Sequence, residues 1–376
     1  MSRNLVVTGG SGLVGAELVA ALLPAFDRTL VLTGRQADPA GLRARIAAVL
    51  AVTGGDGTLL DRLDTHPLDG FGADALARLG YGTVAQVWNI GATLSYDPAK
   101  LRSTVAANTA VPLRLLAACR PEERFFQVST VGVTGPGGPT GRTGPGGEGG
   151  DGRPSVVLEE PVWDVDAVNP YVVSKVLTEH MLDNLRHRHG HRVTSLRIGS
   201  VLGPARHPVV QANRAGYFTL VEMVAKARLR GVPLTLDVSG DVAPPLAHVD
   251  QIAASCAALA EQARGGDGRG GDGLGAYYHL GDQRLTNAAA VAAVNEALGA
   301  EVLALGPART ALDRAFASVN ADNLAFMECG FVFDHRQLDA RVPESARPAV
   351  DAASFAGFVT GQLEFLARRR EEVRAA

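Results

Sequence analysis

The chain lacks the usual marks of a secreted, membrane-spanning or nucleic-acid-binding protein. Only 3 of its 376 residues are cysteine, at positions 119, 256 and 329. An odd number so far apart fits neither a disulfide framework nor a zinc site, and a reducing cytoplasm is the expected compartment. No run of about 18 apolar residues occurs, so no membrane span is expected. No charged-then-apolar leader precedes Leu5, so no secretory signal is expected. The balance of 36 basic and 39 acidic side chains leaves a net charge of −3, which suggests no nucleic-acid or membrane-surface partner. No internal repeat is evident. His187, His189 and His191 alternate near a predicted helix end and read as solvated rather than metal-binding.

Glycine is abundant, and its placement carries the first positive signal. Leu5-Val6-Val7 reads as a buried parallel strand, and Ala16 to Leu23 as a helix with apolar residues at helical spacing. Gly9, Gly12 and Gly15 stand between them in the pattern G-x-x-G-x-x-G. A pyrophosphate rests on such a turn only where no side chain intervenes. Gly9 permits the tight turn, Gly12 the close approach and Gly15 the packing of helix on strand, with the helix N-terminus facing the anion. Thr8, Gly9, Ser11, Gly12, Leu13 and Val14 form the predicted dinucleotide cradle.

A second strand, Thr29 to Thr33, ends in Gly34-Arg35. An acid at this strand end would bind the 2′-hydroxyl of NAD; none is present, and Arg35 offers a planar cation suited to the 2′-phosphate of NADP. Residues 40–52 read as a helix, 59–64 as a poor strand whose Asp64 is placed to hold the adenine amino group, and 73–79 as a helix. Val84 to Asn89 is the next buried strand. It is followed by Ile90, Gly91 and Ala92, small enough for a cofactor to lie against. Leu101 to Cys119 is a helix carrying Asn108 among apolar neighbours. That amide needs partners, either a structural hydrogen bond or a relay to water and lysine.

Phe125 to Val128 forms a strand ending in Ser129-Thr130. The Gly- and Pro-rich stretch 135–152 reads as a loop, and 265–275 as a second one. Asn169-Pro170 opens a helix bearing Tyr171 and Lys175, four apart and so on one face. A lysine ammonium beside a phenol favours the phenolate and predicts a lowered tyrosine pKa, hence a usable proton donor. Thr194 to Ile198 is a further strand, 217–230 a helix, 251–263 a helix, 277–280 a short strand and 288–298 a helix. From Gly306 the chain reads as helical segments, ending in a solvated basic run at 368–370.

These residues resemble the extended short-chain dehydrogenases/reductases over about residues 3–300. The motifs are TGGSGLVG at 8–15, NIGA at 89–92, Asn108, VST at 128–130, YVVSK at 171–175, LRIGSVLG at 196–203 and AHVDQIA at 247–253. Within that superfamily the sequence is most similar to the thioester reductase and fatty acyl reductase branch, through Arg35, Thr130 and NPYVVSKVLTEHML at 169–182, where Glu179 also fits. It departs at Leu13, where phenylalanine is usual, at Trp88, where histidine is frequent, and at Ile198, where proline is usual.

The resemblance implies an α/β Rossmann fold: a doubly wound parallel sheet with helices on both faces and a smaller C-terminal substrate-binding domain. Residues 1–198 would form the NADP-binding domain. Residues 199–376 would form mainly the substrate domain, with 247–263 and about 275–280 returning to the core. Catalysis would fall to Thr130, Tyr171, Lys175 and Asn108. Thr130 and Tyr171 would bind the carbonyl oxygen, and Lys175 would hold the nicotinamide ribose. Asn89, Gly91, Ala92, Val128, Ile198 and Val201 would complete the cofactor contacts. The implied activity is NADPH-dependent reduction of an acyl thioester, bound to CoA or tethered to a carrier protein, or of the carbonyl derived from it. A monomer or homodimer is expected. A nucleotide-sugar epimerase or dehydratase is the alternative, and a non-catalytic NADP-binding regulator a third.

Overall fold

The computed structural model describes residues 3–34, 38–69, 71, 76, 78–81, 84–135, 155–163, 169–211, 213, 215–265, 274–329 and 331–375. Arg35, most of the helix expected at 73–79 and the loop segments 136–152 and 266–273 lie outside them. The strands are β1 (Asn4–Thr8), β2 (Arg28–Thr33), β3 (Leu63–Pro67), β4 (Val84–Asn89), β5 (Arg124–Thr130), β6 (Ser155–Val157), β7 (Arg192–Ile198), β8 (Ser200–Leu202), β9 (Leu234–Leu236), β10 (Leu246–His248), β11 (Tyr277–Leu280), β12 (Leu303–Leu305) and β13 (Phe331–Phe333). The helices are α1 (Leu13–Leu22), α2 (Pro39–Thr53), α3 (Leu101–Ala118), α4 (Pro170–His189), α5 (Tyr217–Arg230), α6 (Val249–Gly265), α7 (Asn287–Leu298), α8 (Ala311–Val319), α9 (Ala321–Met327), α10 (Arg336–Arg341) and α11 (Ala352–Ala375).

Seven strands form one parallel sheet in the order β11-β7-β5-β4-β1-β2-β3. Alternation along β1 explains why both faces are covered. Leu5 and Val7 point into a cluster with α1, α2 and α6, whereas Val6 joins Leu115, Leu116 and Leu182 from α3 and α4 on the other face. Strand order reverses between β1 and β4, and a crevice opens there at the carboxyl ends of the strands. Trp88 and Phe126 stack at 4.0 Å in the first of these cores, filling the space behind that crevice.

A third apolar core gathers α5, α7, α11 and the paired strands β9 and β12 around Val224, Leu234, Leu303 and Phe358. Residues 249–265 pack instead on α1, and 277–280 form the outer strand of the main sheet. Two expectations need correction. Residues 57–62 form a 3₁₀ helix, because Asp56 caps it by accepting from Thr58 N, and the strand starts later, at Leu63. Phe331–Phe333, within the region expected to be helical, is a strand paired with β6. Its three residues owe their conformation to a partner far away in sequence rather than to a local pattern.

Candidate active site

The turn after β1 is shaped by close backbone packing. Gly9 sits at φ 75°, where a Cβ would fall 2.4 Å from Gly91 Cα. A Cβ at Gly15 would lie 2.0 Å from the Gly9 carbonyl oxygen, so α1 presses directly on the turn. Gly12 differs, since a Cβ there would meet only the Gly9 oxygen, at an ordinary 3.5 Å. The space in front of Gly12 is therefore open. No side chain caps α1, so its first N–H groups are left for a ligand. An uncapped helix end behind a side-chain-free turn fits the pyrophosphate of a nicotinamide dinucleotide.

The turn forms one end of a cavity of about 470 Å³. Gly9, Ser11, Gly12, Leu13, Val14, Gly91, Ala92, Val128, Thr130, Tyr171, Lys175, Ile198 and Val201 all line it, so most of the residues singled out from sequence meet in one place. Four others do not line it. Thr8 and Asn89 lie behind the wall in a side-chain chain: Thr8 Oγ1 donates to Asn89 Oδ1 at 2.7 Å, and Asn89 Nδ2 donates to Gln127 Oε1 at 2.9 Å. Asn108 is occupied as a clamp. Its Oδ1 accepts from Thr93 N at 2.7 Å, and its Nδ2 donates to the Thr93 carbonyl and to Ser174 Oγ. It thereby ties α3 to α4 and to the segment after β4, and reaches the cavity only through them. Asp64 is corrected most. It stands opposite Leu30, towards the amino end of the sheet, held by Arg28 at 2.7 Å and by the Tyr81 hydroxyl at 2.7 Å. An adenine at the carboxyl ends is out of its reach.

Thr130 ends β5 beside Ile198, and its Oγ1 accepts from Gly132 N at 3.1 Å, which leaves its hydroxyl proton to donate. Tyr171 enters in the first turn of α4, which starts where Asn169 accepts from Val172 N and Pro170 fixes the backbone. Lys175 follows one turn later and is buried. Its ammonium donates to the Val128 carbonyl at 2.7 Å and lies 5.7 Å from the centre of the Tyr171 ring. Burial lowers the Lys175 pKa to about 8, with the Glu179 carboxylate pulling the other way. The expected low pKa of the phenol is not found. Burial, helped by the neighbouring Tyr96, raises it, while the ammonium is turned to Val128.

Behind Lys175, Arg197 is wholly enclosed. It grips both oxygens of Glu179 at 2.8–3.2 Å, donates to the Glu160 carbonyl at 3.0 Å, and meets His279 Nε2 at 3.2 Å. His279 is neutral in that setting; burial and then Arg197 hold its pKa down at about 3. The far wall of the cavity carries Tyr96, Asn213, Tyr217, Asp322, Asn323 and Phe326. None was singled out from sequence, because no local motif marks them; they converge from three distant parts of the chain.

Among the described residues no group of three or more His, Cys, Asp or Glu could hold a metal ion, and no helix is long and apolar enough to cross a membrane. His187, beside Asp183 at 3.5 Å, and His189 are exposed as expected, whereas His191 is half-buried.

Comparisons with known proteins agree on the architecture. The myxalamid terminal R domain of a PKS-NRPS pathway is similar at TM-score 0.69 and 21% identity, over 96% of this chain and 91% of that one. UDP-glucose-4-epimerase from Stenotrophomonas maltophila, solved with NAD, is similar at TM-score 0.66 and 17% identity over 100% of both chains. UDP-glucuronic acid 4-epimerase from Bacillus cereus, also solved with NAD, gives TM-score 0.62 and 16% identity over 96% of both. At these identities the likeness is one of fold. No curated protein matches. A model of the NAD dependent epimerase/dehydratase family matches residues 5–270, and the chain belongs to that family, the extended short-chain dehydrogenases/reductases.

Proposed function

We propose that the chain is an NADPH-dependent reductase of an acyl thioester, carried by CoA or a carrier protein, or of the carbonyl derived from it. The observation that carries this reading is the convergence of Thr130, Tyr171 and Lys175 on the cavity that begins at the open face of Gly12. When bound, the nicotinamide supplies hydride. The residues of the chain do the rest. The turn at 9–14 and the α1 N-terminus would hold the pyrophosphate. Lys175 would turn from the Val128 carbonyl to the ribose. The Thr130 and Tyr171 hydroxyls would hold the substrate oxygen, and Tyr171 would protonate it as negative charge develops. From a thioester the product of that protonation is a hemithioacetal, which releases thiol and leaves an aldehyde.

The epimerase reading shares fold and cradle, and the similar epimerase structures favour keeping it as a second reading. A nucleotide diphosphate sugar brings two further negative charges. Among the described residues lining the cavity the only cation is Lys175, and the far wall carries a carboxylate, Asp322. That charge pattern supports an acyl group rather than a diphosphate beside the reacting groups, as the reductase reading requires. Arg35 supports NADPH from sequence alone.

The test follows NADPH or NADH absorbance with an acyl-CoA and with acyl N-acetylcysteamine thioesters, beside a nucleotide-sugar assay by chromatography. NADPH oxidation with the thioesters is expected, and Arg35→Ala should weaken NADPH while leaving NADH nearly untouched. Turnover of a nucleotide sugar with no thioester activity would replace this reading by the second.

A further inference from the structure

One charge on the cavity wall is unanswered. Asp322 lies in the first turn of α9 and lines the cavity, yet its carboxylate has no hydrogen bond or ion pair among the described residues. Among the described residues the one other charged side chain on that lining, Lys175, is engaged by the Val128 carbonyl.

The position of Asp322 follows from its helix. Phe326 comes four residues later and so shares its face. A Cβ built at Gly132 would lie 3.2 Å from Phe326 Cζ and 3.3 Å from Thr130 Oγ1, so the Phe326 ring stands beside the threonine expected to hold the substrate oxygen. Asp322 is then one helical turn further along the wall, about 6 Å from Phe326 between Cβ atoms. Tyr96 and Tyr171 line the same cavity as Asp322. The end of α9 is fixed from behind, where Met327 is buried and its carbonyl accepts from Asn287 Nδ2 at 2.9 Å.

A partly enclosed carboxylate beside an aromatic ring gains most from a ligand that brings the missing cation. The phosphate of a CoA or carrier arm would be repelled, which assigns Asp322 to the acyl side. Resting on the reductase reading above, we propose that Asp322 is a specificity-determining residue that selects acyl groups bearing a basic amine a few bonds from the reacting carbonyl.

The test compares β-alanyl and 6-aminohexanoyl N-acetylcysteamine thioesters with the equally long butanoyl and heptanoyl ones. At neutral pH the better placed amine should raise kcat/KM by about 10–100-fold over its neutral counterpart, the scale of one charge-assisted hydrogen bond. Asp322→Asn, which keeps the shape, should bring the amine and neutral thioesters to equal kcat/KM. The unreactive amide analogues of the same compounds are titrated calorimetrically in parallel. Failure to reduce any thioester, with the amine preference intact in binding, would sink the reductase reading and leave the role of Asp322 standing. Equal binding of amine and neutral analogues, or a preference that survives Asp322→Asn, would overturn it.

Discussion

The two ends of the cavity are built by different means. The cofactor end is made of backbone from two short stretches, 9–15 and 90–92, interlocked so tightly that a single Cβ at Gly9 or Gly15 would collide with main-chain atoms. The far end is made of side chains from around residues 96, 217 and 322, the last two carried on elements packed into a separate apolar core. Rigid backbone tolerates almost no substitution but needs few residues to specify it. A side-chain wall tolerates change and is specified by the whole fold.

The largest expected effect lies where the two ends meet. Tyr171→Phe should lower turnover by about 10²–10⁴-fold while leaving NADPH affinity unchanged in a fluorescence titration. Full turnover would remove Tyr171 from its role. Next, Gly15→Ala should cost about 1–3 kcal/mol in urea unfolding and weaken cofactor binding with it, because the new methyl meets the Gly9 carbonyl. Asn323→Ala, at the other end, should cost less than about 0.5 kcal/mol. Equal losses would break the contrast. Gly12→Ala sharpens it further. The protein has room for that methyl, so stability should hold while NADPH affinity falls roughly tenfold, a 1.4 kcal/mol effect confined to the ligand.

The smallest expected effect concerns the joint between the ends. Glu17 of α1 and His207, which precedes the wall residues 213–217, form an enclosed pair at 3.3 Å. Burial disfavours the charged imidazole, but the Glu17 carboxylate outweighs it and raises the His207 pKa above 6.5. A raised folded-state pKa means that the pair's stabilisation is complete below pH 6.5 and fades as pH rises through the higher value. Urea unfolding of the wild type against His207→Asn should therefore show a difference at pH 5.5 that shrinks by pH 9. A difference constant in pH would mean that the imidazole acts by packing alone.

The same contrast decides what could be read from the sequence. The glycine turn, the strand ends at Thr130 and Ile198 and the Tyr171–Lys175 spacing are local, and all of them meet at the cavity. The span of α5, 217–230, was also legible from its own residues. The sequence puts Asp64 at the wrong edge because the apolar pair Leu59-Leu60 suggests a strand that in fact begins only at Leu63, so that Asp64 lies at the sheet's amino end. Phe326 and Asp322 carry no signal in the sequence, since their meaning lies in sharing a cavity with Gly132 and Tyr96, nearly two hundred residues or more away. The protonation of Tyr171 depended on where an ammonium points, and spacing does not fix that.

The pairing of β6 with β13 bears on the order in which the molecule is made. Ser155 emerges from the ribosome long before Phe331, its partner in register. The glycine turn, Thr130, Tyr171 and Lys175 are all synthesised by then, as is most of the sheet. A nascent chain halted before residue 320 would hold Thr130, Tyr171 and Lys175 without Asp322, Asn323 and Phe326 of the far wall. On the proposed reading, the groups that would handle cofactor and carbonyl are therefore made before Asp322, the group that would discriminate.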